Sequence, residues 1–189
     1  MTLTRADDAQ RAVFLDRDGV LTRASVVDGR PRSARSLAEL EILPDAVDAC
    51  RRLRGAGLAL VVVTNQPDVA CGALDPETLE KIHAELSRRI ELDDIIVCPH
   101  DDAERCPCRK PAPGMLRTGA RRHGIALGHS VMVGDRWRDI EAGQRAGCRT
   151  VFVDRGYAET RPSGPDLTVD RLAAAVPWIL NELDNGSEQ

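Results

Sequence analysis

The sequence contains no long apolar run, no block of basic residues, no internal repeat and no low-complexity linker. No segment approaches the ~20 consecutive apolar residues of a membrane-spanning helix. The opening MTLTRADDAQRAVFLD also lacks an apolar stretch of signal-peptide length. The expectation is a cytoplasmic protein that works away from the membrane. Asp and Glu outnumber Lys and Arg by 30 to 26, a formal charge of −4, and no basic face emerges that would track a nucleic acid. At 189 residues the chain has room for one α/β domain with a substantial core rather than two. We read residues 1–184 as that domain and 185–189 as a disordered tail.

Disulfides are not expected in a reducing compartment, so six cysteines need another explanation. Three of them share the stretch CPHDDAERCPCRKP with a histidine. Cys98, His100, Cys106 and Cys108 follow Cys-x-His-x5-Cys-x-Cys, the donor set of a tetrahedral zinc site. With four protein ligands no coordination position remains for water or substrate, so such a zinc would be structural. The alternative is a loop of unligated thiols. Cys50 and Cys148 fall in helix-like stretches and read as small apolar packing residues. His83, His123 and His129 carry no assigned role, as surface or packing residues.

Five short runs rich in Val and Ile punctuate the chain: AVFLD (12–16), LALVVVT (58–64), DIIVC (94–98), SVMVG (130–134) and RTVFV (149–153). Runs without alternation indicate strands covered on both faces, as in parallel sheets. Helix-like segments separate them. Asp75 is placed to cap one of these, with Pro76 at its first position and Leu79, Ile82, Leu86 and Ile90 on one stripe. Strands alternating with helices predict a doubly wound, Rossmann-like parallel α/β sheet, whose ligands lie at the carboxyl ends of the strands. Between Leu21 and Leu43, SVVDGRPR predicts a hairpin turning at Asp28-Gly29. The last helix is expected to kink or split at Pro177.

The strand ends are rich in acid. Asp16 closes the first strand, Asp18 follows two residues on, and Gly19 frees the turn. Asp135 closes the fourth strand, with Asp139 one helical turn later. Two adjacent parallel strands ending in carboxylates create a repulsion that a cation resolves. Oxygen ligands with partial hydration suit Mg2+ partnered by a substrate phosphate. Each acid taken alone reads equally well as a turn former or helix cap. The second strand adds Thr64 and Asn65 as neutral phosphate ligands, and Lys110 follows the third as a cation aimed at the same edge.

DRDGV, TNQ, CRKP and GDRWRD together resemble the four ordered motifs of the haloacid dehalogenase (HAD) superfamily, over residues ~12 to ~155. The Cys/His insert resembles that of its zinc-bearing subgroup without a large cap domain. The resemblance implies a Mg2+-dependent phosphomonoesterase in which Asp16 is the nucleophile and Asp18 the general acid and base. It implies Mg2+ held by Asp16, the Asp18 carbonyl and Asp135, with Asp139 in support. Thr64, Asn65 and Lys110 would hold the phosphoryl oxygens, and zinc would fix the loop that presents Arg109 and Lys110. Arg109 either reaches the substrate or pairs with a surface acid.

The implied partner is a small phosphorylated metabolite, handled by a monomer. A heptose 1,7-bisphosphate losing its C7 phosphate leads, and histidinol phosphate or another sugar phosphate is the alternative. Arg23, Arg30, Arg32 and Arg35 in the hairpin region either read a second phosphate or form a solvated basic loop. After TNQ the subgroup usually continues to Ala-Arg-Gly, whereas here Cys71 stands in the arginine's place. Two non-phosphatase readings remain. A phosphoreceiver would need its acceptor Asp at the end of the third strand, where Cys98 stands. A metal-stapled binding module would be expected to have lost one of Asp16, Asp18, Lys110 or Asp135.

Overall fold

The computed structural model describes residues 10–185. The expected disordered tail, 185–189, lies outside these except for Asn185. All five expected strands form: β1 Ala12–Leu15, then after a two-stranded hairpin β4 Ala59–Asn65, β5 Asp94–Cys98, β6 Val131–Gly134 and β7 Arg149–Val153. The hairpin is β2 Ser25–Val27 with β3 Arg30–Arg32, antiparallel with Val27 opposite Arg30. It turns at Asp28 and Gly29, whose φ values of 51° and 74° match the primed turn that Asp-Gly favours.

A further strand, β8 Leu167–Val169, extends the sheet beyond β7 and was not expected. Its three residues follow Pro162, Gly164 and Pro165, too short a run for periodicity to register. The sheet order is β5-β4-β1-β6-β7-β8, with every neighbouring pair parallel. From central β1 the chain builds to one side through β4 and β5, then crosses to build the other side from β6. That reversal opens a crevice at the carboxyl ends of β1 and β6.

Successive strand residues feed opposite faces. Val13, Leu15, Leu60 and Val62 join the core beneath helices α1 Pro44–Gly55 and α5 Leu172–Asn185. Phe14, Val61, Val63 and Met132 join the opposite core, with Met115 and Leu116 of α3 Gly114–His123 and Ala142 of α4 Trp137–Ala146. Helix α2, Pro76–Arg89, starts where expected, with the Asp75 carboxylate accepting from the Thr78 N–H at 2.9 Å. The expected split at Pro177 does not occur: α5 runs from Leu172 to Asn185 with the proline on its exposed face. Cys50 and Cys148 are buried thiols in the two cores, as expected.

Candidate active site

The Asp16 N–H donates to the Val133 carbonyl at 2.9 Å, so the register of β1 on β6 carries Asp16 to the sheet edge beside Asp135. Asp139 comes from the first turn of α4, where its Oδ2 accepts from the Arg136 N–H at 3.0 Å. One oxygen from each of Asp16, Asp135 and Asp139 lies within 4.8 Å of the others, and all three residues are buried. Lys110 enters from the loop after β5 and is itself buried. Its Nζ donates to Asp16 Oδ1 at 2.8 Å and to the Val63 carbonyl at 2.7 Å, and pairs with Asp139 Oδ1.

One ammonium among three carboxylates leaves an uncompensated negative charge. Burial pushes Asp16 up to about 6; the Lys110 charge opposes this and Asp139 reinforces it. Asp135 is raised well above the carboxylate range by burial, then by Asp16 and Asp139. Burial alone would lower Lys110, but Asp139 and Asp16 hold its proton more firmly than an ordinary lysine's. Neither oxygen of Asp135 accepts a hydrogen bond of normal geometry. Hard carboxylate oxygens, one pair unsatisfied and buried, are the donor set Mg2+ requires, so the residues fit that ion. Gly19 makes this approach possible. Its φ is 89°, and a Cβ there would stand 1.7 Å from Asp135 Oδ2.

Asp18 is turned into a different network. Its Oδ2 accepts from Ser33 Oγ at 2.9 Å and Gln66 Nε2 at 2.9 Å, and pairs with the Arg17 guanidinium at 2.8 Å. Thr22 Oγ1 donates to its other oxygen at 3.2 Å. Burial would raise the Asp18 carboxyl, but the Arg17 charge and these donors hold it below the usual range. Gln66 also donates to Thr64 Oγ1 at 2.8 Å. The Asn65 amide exchanges two 3.1 Å bonds with the Lys110 backbone, tying the end of β4 to the loop that carries the lysine. Asp16, Asp18, Thr64, Asn65, Lys110 and Asp139 thus line one cleft.

The zinc ligand set also assembles. Cys98 Sγ lies 3.5 Å from both His100 Nδ1 and Cys106 Sγ, and 2.9 Å from Cys108 Sγ. His100 Nδ1 to Cys108 Sγ and Cys106 Sγ to Cys108 Sγ are both 3.3 Å. A Zn–S bond of about 2.3 Å gives tetrahedral edges of about 3.8 Å. The observed edges of 2.9–3.5 Å lie inside that value, so an outward adjustment of the four donors by a few tenths of an ångström admits the ion, and the set fits zinc.

Of the two readings of Arg109, the structure shows the pairing with a surface acid. Its Nε donates to Asp102 at 2.8 Å and its NH1 to the His100 carbonyl at 2.9 Å, so the metal loop itself engages it. Arg138 of α4 grips the same Asp102 with bonds of 3.0 and 3.2 Å. Of the hairpin-region arginines, Arg23 pairs with Glu41 and Arg35 forks onto Asp68, while Arg32 lines the cleft. Cys71 is exposed.

Residues without a role in the sequence analysis also belong to this site, among them Arg17, Gln66, Ser33 and His83. Gln66 stands inside the TNQ motif. His83 lies four residues after Leu79 on the buried stripe of α2, a position where a polar residue needs a partner. That partner is Arg17. No sequence signal pointed to Ser33, which the hairpin delivers from outside the sheet.

A family model described as HAD-hydrolase-like matches residues 107–175. D-glycero-beta-D-manno-heptose-1,7-bisphosphate 7-phosphatase from Bordetella bronchiseptica is 35% identical, covering 91% of this chain and 99% of that protein. D-glycero-alpha-D-manno-heptose-1,7-bisphosphate 7-phosphatase from Mycobacterium bovis is 38% identical over 70% of each chain. Among solved structures, D,D-heptose 1,7-bisphosphate phosphatase from B. bronchiseptica, complexed with magnesium and phosphate, superposes with a TM-score of 0.79. It is 34% identical and covers 92% of this chain and 99% of its own.

Proposed function

Given that the chain belongs to the HAD-like family of D-glycero-D-manno-heptose-1,7-bisphosphate 7-phosphatases, we propose that it hydrolyses the C7 phosphate ester of a heptose 1,7-bisphosphate. The observation that carries this reading is Lys110 Nζ seated between Asp16 and Asp139 at the floor of a cleft that Asp18 also lines. Mg2+ would be held by Asp16, Asp135 and the Asp18 carbonyl with Asp139 in support. When bound it supplies positive charge against the phosphoryl oxygens and the carboxylates.

The residues then divide the work. Asp16 Oδ attacks phosphorus in line, the P–O bond to the sugar breaks, and an aspartyl-phosphate forms. Lys110 and the Thr64 hydroxyl, with the Asn65 backbone, hold the phosphoryl oxygens while charge redistributes; the gain is positioning and electrostatics. The Asn65 side chain keeps Lys110 in place. Asp18 gives its proton to the departing sugar oxygen, then takes one from the water that attacks the aspartyl-phosphate; phosphate is released, the Asp16 carboxylate is regenerated and Asp18 returns to its protonated form. In the resting cleft Asp18 is a carboxylate held by Arg17, Ser33 and Gln66. A phosphate dianion brought against it favours the protonated form it needs. Arg109 stays with the metal loop, and zinc fixes the approach of Lys110.

No described helix is long and apolar enough to cross a membrane. We take the enzyme to act as a cytoplasmic monomer on a small phosphorylated metabolite, with no nucleic-acid or membrane partner. The test is Mg2+-dependent phosphate release from both anomers of heptose 1,7-bisphosphate and from histidinol phosphate, compared by kcat/KM. Preference for one bisphosphate anomer, with loss of the C7 phosphate alone, is the expected result. Preference for histidinol phosphate would overturn the substrate, and an Asp16→Asn variant near wild-type activity would overturn the nucleophile.

A further inference from the structure

Three arginines stand at the rim of the cleft, and two are already neutralised. Arg136 is forked onto Glu159, with Nε to Oε2 at 2.8 Å, and Arg138 is forked onto Asp102. The Arg32 guanidinium has no ion pair or hydrogen bond to any described residue. Its backbone, in contrast, is held at several points. Ser33 Oγ bonds Asp18, the Arg35 fork onto Asp68 anchors the outgoing chain, and the Ala158 N–H donates to Gly29 O at 2.8 Å at the hairpin tip. Arg32 is therefore an uncompensated cation carried on a fixed strand at the mouth of a cleft whose floor is acidic.

A bisphosphate brings two anionic groups into this space. The group being transferred has Lys110 and the metal-binding carboxylates at the floor. The other carries about −1.5 to −2 charges and needs a cation elsewhere. The loop after β4, residues 66–75, contains no Lys or Arg. Arg30 lies two residues away on β3 but does not line the cleft. A guanidinium free of an acid partner can meet phosphate with two parallel N–H···O bonds, which a lysine cannot do.

We propose that Arg32 binds the phosphate that is not transferred and thereby sets the preference for bisphosphorylated over monophosphorylated sugars. The proposal rests on the sugar bisphosphatase reading above and deepens it. Ser33 ties the same strand to Asp18, so the residue that reads the distal phosphate and the group that protonates the leaving oxygen share one rigid support.

The experiment compares kcat/KM for the heptose 1,7-bisphosphate and its 7-monophosphate in wild type, Arg32→Ala, Arg32→Lys and Arg30→Ala. Losing a charge-assisted bidentate contact is expected to lower the bisphosphate-to-monophosphate ratio by about 10- to 100-fold in Arg32→Ala, chiefly through KM. Arg32→Lys falls between, and Arg30→Ala, which removes the same charge from the same strand, changes the ratio less than about threefold. Binding of both sugars to Asp16→Asn, with and without Arg32→Ala, reads the same difference without turnover and with folding checked by zinc content. Equal losses on the two substrates, or an Arg30→Ala effect as large, would overturn the role of Arg32. A wild type that prefers the bisphosphate while Arg32→Ala keeps that preference removes the proposal alone. A wild type with no such preference removes the substrate reading together with it.

Discussion

His83 Nε2 lies 2.9 Å from the NH1 group of Arg17, and the same guanidinium holds Asp18. Helix α2, on the outside of the sheet, thereby reaches the acid/base carboxylate through a cation with no solvent exposure. Since arginine only donates, Nε2 is the acceptor and the imidazole is neutral. Burial and the neighbouring Arg17 charge depress His83 to about 4. His83→Ala leaves a buried guanidinium N–H unpaired, which costs about 1–3 kcal/mol. Activity should fall through kcat more than KM, with part recovered in His83→Gln. Denaturant unfolding and steady-state kinetics check both; an alanine variant with unaltered kcat would mean that Arg17 holds Asp18 unaided.

Lys110→Met keeps the volume of the side chain and removes the charge between Asp16 and Asp139. The phosphoryl group then loses its fixed cation, and a loss of about 10²–10³ in kcat is expected. The two carboxylates also lose their shared partner, so the metal-free variant should melt below the metal-free wild type. Mg2+ titration followed by thermal unfolding reads the second effect independently of the first.

The strand ends were legible because buried parallel strands are continuous apolar runs, and the acids that follow them have nowhere to go but the sheet edge. Asp16, Thr64, Lys110 and Asp135 were found that way. The metal cluster was legible because its four donors are crowded into a single loop. Arg109 stayed open between two readings because ion pairing depends on which acid the fold brings near: Asp102 is seven residues away, and nothing in the spacing decides between it and a ligand. Ser33, His83 and β8 were missed for a related reason. Ser33 and His83 acquire partners only through tertiary contacts with Asp18 and Arg17, and β8 is a strand only because β7 is beside it.

Cys108 lies within 3.3 Å of every other zinc donor and two residues before Lys110. Cys108→Ala should lose about one zinc per chain and loosen the loop that delivers the lysine. A displacement of about 1 Å at a positioned group costs about 10²-fold, so kcat is expected to fall by that order. Added Mg2+ should not restore it. Elemental analysis beside kinetics makes the check, and full activity in zinc-free protein would remove the structural role.

Gly19→Ala tests the packing on Asp135. Both the positive φ and the 1.7 Å clash with Oδ2 oppose any side chain there, and the Gly19 carbonyl is held by Arg155 Nε at 2.7 Å, so the turn cannot move freely. Asp135 must be displaced instead. The expected outcome is weaker Mg2+ affinity with zinc content unchanged, measured by calorimetric titration. Unchanged affinity would show that Asp135 is not a ligand.

The buried acids fix the direction in which pH and magnesium act together. Asp16 is pushed up to about 6 by burial, and Asp135 is raised well above the usual range by burial and its two neighbours. A folded state with raised carboxyl pKa values retains protons that the unfolded chain, with pKa values near 4, has released. The stability of the magnesium-free protein therefore falls as pH rises from about 4 through 6 and beyond. Asp18 has the opposite sign: its lowered value contributes stability above about 4 that is lost only in stronger acid, so it stays constant across the neutral range. Mg2+ binds the deprotonated carboxylates, so the stabilisation it provides grows with pH. For zinc-loaded protein, the gap in thermal midpoint between saturating and absent Mg2+ should widen steadily from pH 5.5 to 8, with zinc content measured at each point to separate release of that ion. A gap that is constant or narrows would mean that Asp16 and Asp135 are already ionised in the metal-free fold, with their repulsion answered by Lys110 alone.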